Sequence, residues 1–261
     1  MLISAKLGLF YRKICTFAVG IVFFLDKLAT IIHIETSTDV CSVSVSKDGF
    51  RLFDRTIPGS VKGSQASEQL GKLVEEAVDA AREKPDAIAV SSGPGSYTGL
   101  RIGMSMAKGL AYGSDAKLIA VPTLELLCVP VLLGDHEMAD DALLCPMIDA
   151  RRMEVFTAVY DRTLRQVMPG QAMVVEEDSF KELLHEHDIY FFGNGAAKCM
   201  ETLNHPHAHY IDGITPLAKN MLPLADKRFH EGRFEDVAYF TPEYYKQYEA
   251  KLPKNLLKIN E

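Results

Sequence analysis

The chain has 261 residues, with 48% hydrophobic residues, 24% charged residues and a formal net charge of −7. At ~150 residues per domain this allows one large domain or two small ones with a substantial core, and it argues against a disordered chain. An acidic balance also argues against a free-standing nucleic-acid binder, which carries a basic face, so any grip on RNA would come from a partner.

The chain begins oddly. Residues 14–25 (ICTFAVGIVFFL) form an unbroken, mostly apolar run behind Arg12 and Lys13. The run is short for a bilayer span, and no A-x-A-like cleavage site precedes Thr30. Residues 1–29 are therefore expected to be an extension outside the fold, with a surface membrane anchor as the alternative.

From Thr30 the pattern becomes regular. Residues 30–35 (TIIHIE) form an apolar strand ending in Glu35, and 41–46 (CSVSVS) alternate strictly. Lys47-Asp48-Gly49 is a hairpin turn, and 50–57 continue as a strand with apolar Phe50, Leu52 and Ile57. Leu70, Leu73, Val74, Ala77, Val78 and Ala81 make one stripe of a helix over 67–82. A buried strand, 86–90, follows Pro85 and runs into Ser92-Gly-Pro-Gly-Ser-Tyr-Thr-Gly-Leu-Arg-Ile-Gly103. Leu100, Met104, Ala107, Leu110 and Ala111 have helical spacing, so this stretch is a strand-to-helix turn. A strand over 117–121 and a helix over 124–129 come next, and the polar, acidic 135–141 loop is the best domain boundary.

The second half repeats the scheme. Strands are expected at 142–148, 155–160 and around 167–175, a helix over 180–187, a strand over 189–192, and a helix over 196–203 after Gly193-Asn194-Gly195. Thr215-Pro216 then reads as a helix start, with Leu217, Met221, Leu224, Ala225 and Phe229 on its apolar stripe. The tail carries Tyr239, Tyr244, Tyr245 and Tyr248, aromatics suited to packing on a core or a partner. Each half opens with an apolar strand ending in an acid, Glu35 or Asp149, and each has a later strand entering a glycine turn. The expectation is an α/β fold with two β-β-β-α-β-α subdomains, at 30–134 and 135–214. Residues 215–261 are expected to pack back on the first.

The chemistry has competing readings. Gly93, Gly95 and Gly99 free the backbone, and Ser96 or Thr98 can cap the helix. The turn is then either an anion nest or a tight bend that lets a helix sit close to a sheet. It is neither a P-loop nor a dinucleotide fingerprint. Glu35 and Asp149 are placed as the carboxylate pair that holds a metal nucleotide in actin-like phosphotransferases, with Thr36 and Ser37 as phosphate donors. Against that, Asp149 followed by Arg151 and Arg152 reads more readily as an ion-pair anchor than as a metal ligand. His185, His187, His205, His207 and His209 lack metal-ligand spacing, and no Gly-x-Ser-x-Gly elbow exists. The five cysteines (Cys15, Cys41, Cys128, Cys145, Cys199) are odd in number and lack a CxxC pair, which suits buried thiols in a reducing cytoplasm.

Thr36-Ser-Thr-Asp-Val-Cys-Ser-Val43, the glycine stretch ending at Gly103, Ala107-Lys-Gly-Leu-Ala111, Val121-Pro-Thr-Leu124 and Ile148-Asp-Ala-Arg151 resemble the bacterial TsaB (YeaZ) family. The similarity runs over most of the chain from Thr30. It implies an actin-like (ASKHA), RNase H-like fold and a non-catalytic relative of the Kae1/TsaD enzymes. It also implies a scaffold role in adding threonylcarbamoyl to adenosine 37 of tRNAs that read codons starting with A. The implied partners are TsaD, paired through the first subdomain's helices, and the ATPase TsaE. Homodimerisation is expected when the chain is alone, tRNA contact only through the complex, and no stable membrane association. No cofactor and no metal are implied. Where the enzymes carry two metal-binding histidines, this chain reads Ala66-Ser-Glu-Gln-Leu70, with Gln65 if the alignment slips by one, and the first-strand acid is Glu35 in place of Asp. The glycine turn (Gly93, Gly95, Ser96, Thr98, Gly99) would then be a vestigial nest, and Leu70, Leu73, Met104 and Met106 the apolar partner contacts. The competing expectation is an actin-like ATPase or phosphotransferase acting through Glu35 and Asp149.

Overall fold

The structure, a computed structural model, describes residues 29–57, 59 and 64–246, with the side chains of 64–68 outside that description. The apolar run at 14–25 and the end of the tail lie outside the described residues. Apolar runs along the central strands build two sheets buried there on both faces, while an outer strand of each, Phe50–Ile57 and Gln166–Val174, is largely exposed. Strands β1 (Thr30–Glu35), β2 (Cys41–Lys47), β3 (Phe50–Ile57), β4 (Ala87–Gly93) and β5 (Lys117–Pro122) order as β3-β2-β1-β4-β5. Strands β6 (Leu143–Asp149), β7 (Glu154–Tyr160), β8 (Gln166–Val174), β9 (Ile189–Phe192) and β10 (Ala208–Ile211) order as β8-β7-β6-β9-β10. In each sheet the first three strands pair antiparallel and the last two join in parallel, so the α/β unit is duplicated.

On the first sheet, Ile32, Ile34, Ile88, Val90 and Leu118 face helices α1 (Ser64–Ala81) and α2 (Tyr97–Ser114). Their neighbours Ile31, Ala87, Ala89, Ile119 and Val121 face the opposite layer. That layer holds α3 (Thr123–Leu133) and α5 (Leu222–His230), while α4 (Lys181–Glu186) covers the far face of the second sheet. Helix α3 is apolar all round, as a helix buried on every side must be. Leu126 and Val129 enter the first sheet's core, and Leu124, Leu127, Cys128 and Val131 enter the second's. Its end was expected near Val129, but it runs through Pro130 to Leu133. Burial on both flanks offsets the hydrogen bond that proline cannot make.

Three other expectations are corrected. Phe50 and Leu52 are exposed, 76% and 51%; of the three apolar residues singled out on this strand only Ile57 packs inward, and Phe53 joins it. A register shift between Val45 and Ser46 changes which residues of β3 face the core. The helix expected at 196–203 shrinks to a 3-10 turn, Ala197–Cys199. The helix expected from Thr215-Pro216 starts at Leu222, with Pro223 in its first turn, after a 3-10 turn at Ala218–Met221. The Ala218 amide donates to the Ser42 hydroxyl at 2.9 Å, which holds that turn on β2.

One ion pair ties α5 to α3. Arg228, almost wholly buried, donates to Glu125 at 2.6 Å and to the Leu224 carbonyl at 3.2 Å. Removing one partner leaves the other charge uncompensated. Arg228→Ala is expected to lower unfolding free energy by about 3–5 kcal/mol in urea titration, and Glu125→Leu with Arg228→Met to recover most of it.

Candidate functional site

In open α/β sheets, ligands enter at the carboxyl ends of the strands where the strand order reverses. Here that place lies between β1 and β4, which pair in parallel from Ile31↔Ala87 to Ile34↔Val90. Glu35–Ser37 leave one strand and the glycine turn leaves the other. The two segments lie backbone against backbone. The Ser96 amide donates to the Ser37 carbonyl at 2.6 Å, and the Thr36 hydroxyl donates to the Gly99 carbonyl at 2.8 Å. A Cβ at Gly95 would strike the Ser37 carbonyl, one at Gly99 the Thr36 carbonyl, and one at Gly103 the Thr36 hydroxyl. Three glycines are thus required by close approach. Ser96 caps α2, its hydroxyl accepting from the Gly99 amide at 3.3 Å.

The turn therefore commits two of its own donors. Of the expected anion nest, the Ser96 amide goes to Ser37 and the Gly99 amide to Ser96. Gly93, at φ 110°, lies against the carbonyl of Glu243, and Thr98 is exposed in the first turn of α2.

Glu35 is fully buried, and its carboxylate accepts from the Ser37 amide at 2.5 Å. Desolvation raises its pKa, outweighing the hydrogen bonds from Ser37 that favour ionisation. Asp149, at the matching end of β6, is partly exposed and bound by Lys198 and by the Arg151 amide at 3.0 Å. Partial burial opposes its ionisation, and those contacts outweigh it, holding the carboxyl below its usual range. The anchor expected from Arg151 and Arg152 is thus supplied by Lys198. The second half repeats the close approach, with a Cβ at Gly195 only 2.8 Å from the Ile148 carbonyl carbon and the Asn194 side chain accepting from the Asp149 amide.

His207 and His209 both contact Asp188, at 2.8 and 2.9 Å. Among the described residues, no group of three or more His, Cys, Asp or Glu is placed to hold a metal ion. Cys41, Cys128, Cys145 and Cys199 are free thiols and buried.

The expected partner contacts need correction. Leu70, Leu73 and Met104 sit in the core beneath α1 and α2, so they cover the sheet and offer no surface. Met106 alone of the four reaches an open groove of about 900 Å³ on the outer side of α2. Ile102, Leu110, Val78 and Pro85 supply its apolar walls, Ser105, Gly109 and Gly113 its floor, and Tyr97 and Arg101 its end. The signal was present in the sequence: Ser105, Gly109 and Gly113 are small residues four apart, opposite the stripe Leu100, Met104, Ala107 and Ala111. A Cβ at Gly109 or Gly113 would meet nothing within 4 Å.

The family described as "TsaD: tRNA N6-adenosine threonylcarbamoyltransferase" matches residues 60–256. A Bacillus subtilis tRNA threonylcarbamoyladenosine biosynthesis protein TsaB is 39% identical over 121 residues, 44% of this chain and 49% of that protein. The Escherichia coli TsaB is 28% identical over 241 residues, 85% of this chain and 98% of that protein. The chain belongs to this family, in its TsaB/YeaZ branch. The chain thus spans about half the length of one curated relative and nearly all of another. A crystal structure of a Pseudomonas aeruginosa protein with similarity to peptidase YEAZ shares the fold, with TM-score 0.71 at 24% identity, covering 84% of this chain and 100% of that one. TsaB/YeaZ proteins are the non-catalytic relatives of Kae1/TsaD, and this chain resembles them.

Two measurements probe the site. Gly99→Ala is expected to cost about 1–3 kcal/mol of stability in chemical denaturation, while Gly109→Ala is neutral or stabilising. A carboxyl with a raised folded pKa binds its proton more tightly folded than unfolded, so its contribution falls as pH rises above the unfolded value. Glu35→Gln should therefore flatten the decline of stability as pH rises from the unfolded value, and leave the variant at least as stable as the parent at pH 8. A variant less stable at pH 8 would contradict this account.

Proposed function

We propose that this chain is a non-catalytic scaffold subunit of the complex that adds threonylcarbamoyl to adenosine 37 of tRNAs reading ANN codons. It pairs with TsaD and supports TsaE. In this reading the duplicated α/β fold is the actin-like one. The chain acts in the cytoplasm, pairs with itself when TsaD is missing, and meets tRNA only through the assembled complex. The observation that carries the reading is the contrast between the two sides of α2. The turn at its start is closed on the chain's own backbone, whereas its outer flank is an apolar groove with a small-residue floor. A floor without side chains lets a partner helix approach closely, and apolar walls supply the driving force. An open apolar surface of this size suits a protein partner. Membership of this family supports TsaD as that partner. The described residues contain no helix long and apolar enough to cross a membrane.

The groove can be filled without disturbing the core, because Ser105 and Gly109 point away from it. Ser105→Trp and Gly109→Trp should leave unfolding midpoints nearly unchanged and weaken pairing with TsaD at least tenfold. Light scattering of the chain alone and mixed with TsaD at micromolar concentration reads both assemblies. A wild-type mixture that stays as separate species would overturn the scaffold reading. Pairing untouched by both tryptophans would move the interface elsewhere.

A further inference from the structure

The aromatic tail is tied down in a way that the scaffold reading does not use. After the bridge Leu118↔Glu235, the chain runs beside α2, where Lys108 donates to the Ala238 carbonyl at 3.1 Å and Val237 and Phe240 pack on the first core. It then crosses the molecule. The Glu243 amide donates to the Ser92 carbonyl at 2.7 Å, and the Glu243 carbonyl lies on Gly93 so closely that a Cβ there would collide. Tyr244 packs on Tyr97 with ring centroids 5.0 Å apart. The next two residues grip the other half. Tyr245 meets Phe156 of β7 edge-on at 6.0 Å, and its hydroxyl lies where a Cβ at Gly170 of β8 would sit. Lys246 forms an ion pair with Glu154.

We infer that residues 243–246 are an intramolecular strap that fastens the end of β4 and the start of α2 to β7 and β8, ties the two halves together, and detaches without unfolding either sheet. Two consecutive residues hold the first half and the next two hold the second. The anchors on the first half are Ser92 and Gly93 at the end of β4 and Tyr97 at the start of α2. Gly93 and Gly170 are the two positions whose missing side chains make room for the strap, one on each half. The contacts are few and partly exposed, with Tyr244 at 40%. Such a segment opens locally at a much smaller free-energy cost than the sheets beneath it. A strap of this kind ties the two halves reversibly, and its release would leave both sheets intact.

Hydrogen exchange followed by mass spectrometry on the full chain tests this directly. Tyr245→Ala should speed exchange tenfold or more in peptides covering 92–97, 166–174 and 241–246, with 31–34 and 87–90 keeping the parent rates. Lys246→Glu should do the same more weakly, and adding Glu154→Lys should restore protection. Unchanged exchange in both single variants overturns the strap. Loss of protection spreading to 31–34 also overturns it, because the segment would then be part of the core.

Discussion

Helix α3 is the constraint on which the rest depends. It is the only described helix whose side chains enter the cores of both sheets, and it does so because it has no polar face beyond Glu125. Even Glu125 is neutralised by Arg228 from α5. An apolar cylinder between two twisted sheets fixes their separation by close packing, and packed interiors have little compliance. The turns at the ends of β1, β4, β6 and β9 are brought to their positions by that packing.

With the sheets fixed, the glycine turn has one solution. The segment after β1 and the turn after β4 must share a narrow space, so their contact is backbone to backbone, with Gly95, Gly99 and Gly103 as the points of nearest approach. Each donor used to hold the two segments together is one fewer for a ligand. The same residue chemistry that suggests a phosphate cradle in sequence thus serves as a fastening here. The outer flank of α2 has no such neighbour, and its small residues leave a groove. Tyr97 belongs to both regions: it carries Tyr244 on one side, and its hydroxyl accepts from Arg101 at 2.7 Å at the end of the groove.

Period-2 alternation made the strands legible, and the paired acids and glycine turns made the duplication legible, because both follow from local geometry. What failed depended on distant atoms. The phase of β3 turned on one register shift at Val45, which no count of apolar residues in Phe50–Ile57 reveals. Pro130 reads as a stop, yet two sheets hold the helix around it. Leu70, Leu73 and Met104 were placed on a surface because an apolar stripe does not say which neighbour it meets, and the sheet had the prior need for cover. The groove was written in the spacing of Ser105, Gly109 and Gly113, a pattern of missing side chains. Asp149 was expected beside arginines, and its charge partner, Lys198, is distant in sequence.

The placement of the final helices has a further consequence. Helix α3 follows the last strand of the first sheet and packs on both sheets, while α5 follows the last strand of the second sheet and packs on the first. Each half thus wears a lid made by the other. Duplication, in this architecture, has produced two copies that exchange their covering helices.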